Sequence, residues 1–312
     1  DAPRFAFSVP TLNHAEPMKR YHWTDLPQGM CNSPTICQRV VDLTLQPVRC
    51  QFPEATMYHY MDNILLAAKD HSVLCSIQVA VVQAVQAAGL VVAPEKVQQQ
   101  ALWHYLGWKI TQQTICPQPV KLSVKDNLTW NDLQKLLGSL NWLRPILGLS
   151  TELLHPLFAL LRGDPNLKSL RQLTPDAKKA LDRCAQALES HQGWRWDPDE
   201  PVSLLVVASK FQPFAVLFQW FPDDSDPLHV LEWLFLPHTA TKTVWTIRDM
   251  FAQLIMKSHQ RLQTLSDPHV IYVPANKENL SWLLSEDTNF QIALAYFSGQ
   301  LSIHYPSHHL WM

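Results

Sequence analysis

Between residues 119 and 190 the apolar residues recur at helical spacing, while the segments on both sides consist of short strand-like runs. No single regular architecture holds both patterns, so the chain must combine a helical unit with strand-containing domains. Thr129-Trp130-Asn131-Asp132 has the form of a capping box, and Leu133, Leu136, Leu137, Leu140 and Leu143 then mark one helical face. Ser150 with Glu152 opens a second, short helix that stops near Gly163-Asp164-Pro165. Thr174-Pro175 gives a third helix its N-cap and a first-turn proline, with Ala177, Ala180, Leu181, Cys184 and Leu188 facing inward.

Before this unit, residues 1–118 read as short strands with one helix. Phe5-Ala6-Phe7-Ser8-Val9 alternates as a strand does until Pro10. The apolar runs 57–61 and 64–66 flank Asp62-Asn63, two residues that tolerate turn dihedrals, so a hairpin is expected there. Residues 72–88 read as a buried helix ending at Gly89. Residues 119–193 are the three-helix unit, and 194–312 form a third domain entered through a proline-containing linker, 194–202. Its expected order is strand (203–208), strand (214–219), strand (229–236), helix (~245–265), strand (270–273), which matches the start of an RNase H-like fold.

Hydrophobic residues make up 47% of the chain, enough for each domain to bury a core. The formal charge of −2 gives no global attraction to nucleic acid. Residues 121–183, however, carry 10 Lys/Arg against 6 Asp/Glu, either a phosphate-facing surface or a solvated helical face. The 6 cysteines lack a C-x-x-C pair, which fits reduced thiols rather than a disulfide framework or zinc site. His304, His308 and His309 cluster without the carboxylates a metal site would add. No apolar run approaches a membrane span, and the opening Asp1-Ala2-Pro3-Arg4 is neither a signal peptide nor an initiator. A fragment of a longer polyprotein is expected, in an intracellular setting such as the cytoplasm or a virion-like particle.

Four strings follow one another in order: Leu26-Pro27-Gln28-Gly29-Met30, Tyr60-Met61-Asp62-Asn63, Pro94-Glu95-Lys96-Val97 and Tyr105-Leu106-Gly107-Trp108. Together they resemble the palm of a retroviral reverse transcriptase of the alpha-, betaretroviral or class II endogenous type. Asn131 to Trp142 resembles the first thumb helix of the same enzymes, and the strands after residue 202 resemble their connection domain. The resemblance implies an α+β fold: a partial right-hand polymerase (fingers and palm), a helical thumb and an RNase H-like connection domain. It implies an RNA-directed DNA polymerase, a nucleotidyltransferase, from a Pol polyprotein whose parent also carries RNase H.

Phosphoryl transfer by such enzymes uses two Mg²⁺ ions, which require clustered hard carboxylates. By resemblance one carboxylate lies upstream of Asp1, the second is Asp62, and the third position is Asn63. A neutral amide at Asn63 leaves the metal site degenerate, so the chain is expected not to polymerise as given. The resemblance further assigns Gln28, Gly29 and Met30 to the incoming dNTP and makes Lys96 a catalytic residue, the palm lysine near the triphosphate that would act as an acid. It assigns Leu106, Gly107 and Trp108 to the primer grip. Gln134, Gly138 and Trp142, spaced at i, i+4, i+8, would enter the minor groove of a template–primer duplex; the competing expectation is helix–helix packing by Gly and Trp. The segment after residue 202 lacks a first-strand carboxylate and has only Asp249 near its helix, so it should be a non-catalytic connection domain. Three functions remain open: a polymerase fragment, a silent nucleic-acid-binding or structural subunit in a homo- or heterodimer, and a non-functional remnant.

Overall fold

A computed structural model describes residues 6–9, 18–27, 29–118, 127–210, 212–237, 245–262 and 268–310. The chain forms two compact units, Asp1–Gln99 and Gln100–Met312.

In the first unit, β1 (Phe7–Val9) and β2 (Lys19–Tyr21) pair antiparallel as an exposed ribbon. Of the strand expected at 5–9, residue 5 lies outside the described residues, as does the Pro10 expected to end it. Helix α1 (Ser33–Gln51) follows, then the hairpin β3 (Thr56–Tyr60) and β4 (Asn63–Ala67), then α2 (His71–Ala87). Two helices therefore stand where the sequence suggested one. The missed helix, α1, contains Pro47 and buries only Val41, Leu45 and Val48, too sparse a stripe to declare a helical period. These three side chains meet Met57 of β3 and Ile77, Val81 and Val85 of α2 in the unit's core. Helix α2 is less buried than expected, since Val73 and Val79 remain exposed. It ends as expected: Gly89 takes φ +78°, its N–H donates to the Gln86 carbonyl, and the Leu90 N–H donates to that of Val85.

The second unit opens with β5 (Trp103–Tyr105), β6 (Trp108–Ile110) and β7 (Thr114–Pro117), an antiparallel meander. β8 (Asn127–Thr129) leads into α3 (Trp130–Leu147), α4 (Thr151–Ala159), β9 (Leu170–Gln172) and α5 (Pro175–Ser190). The capping box is formed as read: Thr129 Oγ1 accepts from the Asp132 N–H, and Asp132 Oδ2 accepts from the Thr129 N–H. Ser150 Oγ accepts from the Leu153 N–H and Thr174 Oγ1 from the Ala177 N–H, single bonds that cap α4 and α5. The α4 helix closes earlier than expected, and the Arg171 Nε–H donates to the Leu160 carbonyl just past its end. Pairing of β8 with β9 was not legible, because three-residue strands carry no measurable period. The helices enclose Leu133, Leu137, Leu140, Leu143, Leu147, Leu154, Leu157 and Cys184.

The supposed linker begins as a strand, because β10 (Gly193–Trp194) pairs with β7. Then come β11 (Ser203–Val207), β12 (Phe214–Trp220), β13 (Leu228–Phe235), α6 (Ile247–Leu262), β14 (Val270–Tyr272), α7 (Lys277–Glu286), α8 (Thr288–Ala293) and β15 (Gln300–Ser302). The sheet order is β13-β12-β11-β14-β15, with β14 parallel to both β11 and β15 and the rest antiparallel. One face, with Leu204, Val206 and Leu217, packs on Phe251, Leu254 and Ile255 of α6. The other carries Leu205, Val216, Phe218, Trp233 and Phe235. Burial on both faces explains why these strands read as near-continuous apolar runs.

The end of α3 covers part of that second face. Gly148 caps the helix at φ +66°, and a Cβ there would stand 2.6 Å from Cε2 of Trp233. The buried Arg144 guanidinium lies 3.8 Å from the centroid of the Phe235 ring. Its Nε–H donates to the Leu149 carbonyl at 2.6 Å and its Nη2–H to Thr151 Oγ1 at 2.7 Å. Desolvation pushes its pKa down to about 10, and the guanidinium stays charged at neutral pH.

Candidate nucleic-acid site and metal hairpin

The turn at Pro27 sets the start of α1. Ser33 Oγ donates to the Pro27 carbonyl at 2.8 Å, and Gly29 takes φ +85°, a conformation that a side chain would strain. Gly29 is exposed and Met30 half-buried in this turn, while Gln28 lies outside the described residues.

The β3–β4 hairpin has a two-residue loop, Met61-Asp62, between the paired Tyr60 and Asn63. Asn63 is thus the first strand residue, and Met61 takes the left-handed backbone at φ 55°. That conformation is costly for a residue with a side chain, and it persists because the surroundings over-determine it. Gln38 of α1 provides the restraint: its Oε1 accepts from the Met61 N–H at 2.6 Å, and its Nε2 donates to the His59 carbonyl at 3.3 Å. Sequence reasoning missed Gln38, since a glutamine on an undetected helix carries no signal of its own.

Asp62 and Asn63 are both exposed, and Asn63 Nδ2 donates to Asp62 Oδ1 at 3.2 Å. The amide therefore supplies no charge and also engages a lone pair that a cation would use. No group of three or more His, Cys, Asp or Glu side chains capable of holding a metal occurs among the described residues. This donor set does not fit a two-Mg²⁺ centre. Lys96 sits exposed on a short 3₁₀ turn, Pro94–Lys96, in the same unit.

In the second unit, Leu106 and Gly107 form the β5–β6 turn, with φ 47° and 84°. Trp108 opens β6 and packs against the leucine core of the helices. On α3, Gln134, Gly138 and Trp142 lie on the exposed side, beside the buried stripe of Leu133, Leu137 and Leu140. Trp142 is 55% exposed and a Cβ at Gly138 would meet nothing within 4 Å, so no described element of the chain packs on this face at Gly138. The basic stretch 121–183 is not one patch: Arg144 is buried, Arg171 holds carbonyls near the α4 end, and Lys121 and Lys125 lie outside the described residues.

In the RNase H-like part, Asp249 is engaged in holding helix α6. Its Oδ2 accepts from the Thr246 N–H at 2.9 Å and hydroxyl at 2.8 Å, and its Oδ1 accepts from Asn289 Nδ2 at 2.9 Å. The Thr246 bonds, with that of Asn289, hold its carboxyl below the usual range. Strand β11 bears no carboxylate. His308 of the C-terminal trio is buried, its Nε2 3.0 Å from Asp226 Oδ1.

A hairpin of the Tyr-Met-Asp-Asn form, a capped helical unit and an RNase H-like sheet follow one another in the order of the reverse transcriptase fold class. Family models agree along the chain: "Reverse transcriptase (RNA-dependent DNA polymerase)" matches residues 1–110, "Reverse transcriptase thumb domain" 117–182, and "ERVK-8-like, RNaseH-like domain" 210–311. The Gag-Pro-Pol polyprotein of squirrel monkey retrovirus is 40% identical over 98% of this chain, which spans 16% of that polyprotein. That of mouse mammary tumor virus (strain BR6) is 40% identical over 98% of the chain and 17% of its own length. The intracisternal A-particle Pol-related polyprotein of mouse MIA14 is 36% identical over 99% of the chain and 35% of its own length. The chain carries reverse transcriptase, thumb and RNase H-like domains of the retroviral Pol polyprotein type. It spans about one sixth of the Gag-Pro-Pol relatives it matches. Domains of these families generally use divalent metals, and reverse transcriptases bind nucleic-acid template–primers. No described helix is long and apolar enough to cross a membrane.

Proposed function

We propose that this chain grips a template–primer duplex through α3 and does not itself polymerise. The observation that carries the reading is the exposed, unpacked face of Gln134, Gly138 and Trp142 on a capped, leucine-anchored helix. An A-form or mixed duplex offers a wide, shallow minor groove of sugar edges and 2′-hydroxyls. Gly138 lets the helix backbone approach it, the Gln134 amide can donate to and accept from base and sugar edges, and Trp142 lays an apolar plate against the sugars. Leu106, Gly107 and Trp108 would hold the primer end. Gln28, Gly29, Met30 and Lys96 would serve the dNTP only in a parent with a complete metal site. Asp62 with the neutral Asn63 cannot assemble the charge that two Mg²⁺ ions need, so polymerisation falls to a longer or second polymerase subunit. A homo- or heterodimer with such a subunit belongs to this reading.

The test is fluorescence anisotropy of a labelled RNA–DNA duplex with the purified chain, alongside primer extension with Mg²⁺ and dNTPs. Binding should weaken with rising salt, and Gln134→Ala or Trp142→Ala should each weaken it by about tenfold, equivalent to ~1–2 kcal/mol of lost contact. Template-directed extension by the chain alone would sink the non-catalytic part. Affinity unchanged in both variants would sink the grip.

A further inference from the structure

A helix leaves its first N–H groups without intrahelical partners, and at α3 all of them are taken. The Thr129 and Asp132 N–H groups are used by the capping box. The Trp130 N–H donates to the Ser169 carbonyl at 2.8 Å and the Asn131 N–H to the Leu167 carbonyl at 3.2 Å. The start of α3 therefore has no N–H left with which to hold an anion. Between the two accepting carbonyls stands Lys168, in the loop that joins α4 to β9. That loop is held by its own polar groups. Asp164 Oδ1 accepts from the Asn166 N–H and Asn166 Oδ1 from the Lys168 N–H, both at 3.0 Å, and Ser169 Oγ donates to the Asn166 carbonyl at 2.7 Å. The Trp130 indole N–H holds the Leu161 carbonyl, and Arg171 Nη2 holds that of Asp164. The backbone around Lys168 is thus fixed while its side chain is exposed, and its ammonium forms no ion pair among the described residues. Asp132 and Asp164, the carboxylates of this corner, both accept backbone N–H bonds.

We propose that Lys168 is a backbone-phosphate contact that sets the register of α3 on a template–primer duplex. Asn131 lies three residues before Gln134 on the same side of the helix, so the loop stands about one turn, ~5 Å along the axis, from the first groove-facing side chain. A minor groove is walled by two phosphate rows, and a cation just beyond the end of a helix lying in it meets phosphate oxygens. Such contacts fix orientation and carry no sequence information, whereas Gln134 and Trp142 touch base and sugar edges. The pinned loop favours this use of Lys168, since little backbone freedom is left to lose when the ammonium binds. This role rests on the reading of the Gln134, Gly138 and Trp142 face as the duplex grip.

The experiment is the salt dependence of duplex binding by the whole 312-residue chain. Anisotropy of a labelled RNA–DNA duplex is titrated at KCl concentrations from about 50 to about 200 mM. Each phosphate neutralised by one cation adds roughly 0.7–0.9 to the slope of log affinity against log salt. Lys168→Gln should lower the slope by about that amount, and it should weaken binding to the same extent on two duplexes of unrelated sequence. Lys168→Arg, which keeps the charge, should restore the slope. Gln134→Ala should weaken binding with the slope unchanged, because a neutral amide releases no counterion. Lys179→Gln, on the exposed side of α5, should leave the slope as it is. Thermal midpoints, expected to match the unaltered protein, show that the variants are folded. An unchanged slope in Lys168→Gln overturns the proposal, as does an equal loss in Lys179→Gln, which would make the effect one of net charge alone. Absence of salt-dependent binding in the unaltered chain sinks the duplex grip and Lys168 with it. Salt-dependent binding that ignores Lys168→Gln condemns Lys168 alone.

Discussion

His229 shows how a residue's neighbours decide its chemistry. Its ring stacks parallel on the Trp194 indole at 3.6 Å and lies 4.3 Å from the Phe221 ring. Desolvation lowers its pKa from the ordinary 6.5, although Asp224, with Oδ2 2.9 Å from Nε2, and Asp226 both pull it upward. Below 6.5 the unfolded chain therefore binds a proton that the folded chain resists, and stability falls as pH drops through that value until the folded group also titrates. Denaturation midpoints measured at descending pH should show this loss, and His229→Gln should flatten the part due to this residue. A slope in His229→Gln identical to that of the unaltered protein would refute the assignment. None of this was legible in the sequence, where His229 is one histidine among 14. Asp62 and Asn63 were legible as an acid and an amide at a hairpin, but the bond between their side chains was not.

At the scale of elements, α3 was the most readable part of the chain. Its capping box, leucine stripe and polar face all follow from spacing along a single helix, so local rules suffice. Helix α1 was the least readable, since it has an internal proline and a narrow buried stripe, and only tertiary packing holds it. The α3 helix also permits a test that separates folding from binding. Gly138 has an unremarkable helical backbone and open space at its Cβ position. Gly138→Ala should stabilise the protein by about 0.5–1 kcal/mol, because alanine loses less backbone freedom on folding. The same methyl should weaken duplex binding if the backbone must approach the groove closely. Urea denaturation and duplex anisotropy on one preparation read both, and a gain in stability with unchanged binding would count against Gly138 as a groove contact.

Across the whole molecule, the helical unit and the RNase H-like sheet are not independent beads. Gly148 accommodates Trp233 with no room for a methyl, while Arg144 reaches over Phe235 and ties the end of α3 to the start of α4. Gly148→Ala combines a strained left-handed backbone with overpacking against the indole, and should cost about 2–4 kcal/mol. Tryptophan fluorescence and far-ultraviolet circular dichroism should both report this loss in one shared transition, since helix and sheet meet at that point. A change confined to the fluorescence signal, with the helical transition unmoved, would mean the two parts fold separately. The sequence alone determined the capped helices, the apolar runs that make β11 to β13 strands, and the neutral amide of Asn63 beside Asp62. These are local facts, carried by residues a few positions apart. Tertiary structure decided that α3 seals a sheet face, that β10 joins β7, and that Gln38 grips a loop more than 20 residues away in sequence. Such contacts depend on which surfaces meet once several elements have formed, and no periodicity in the chain records that.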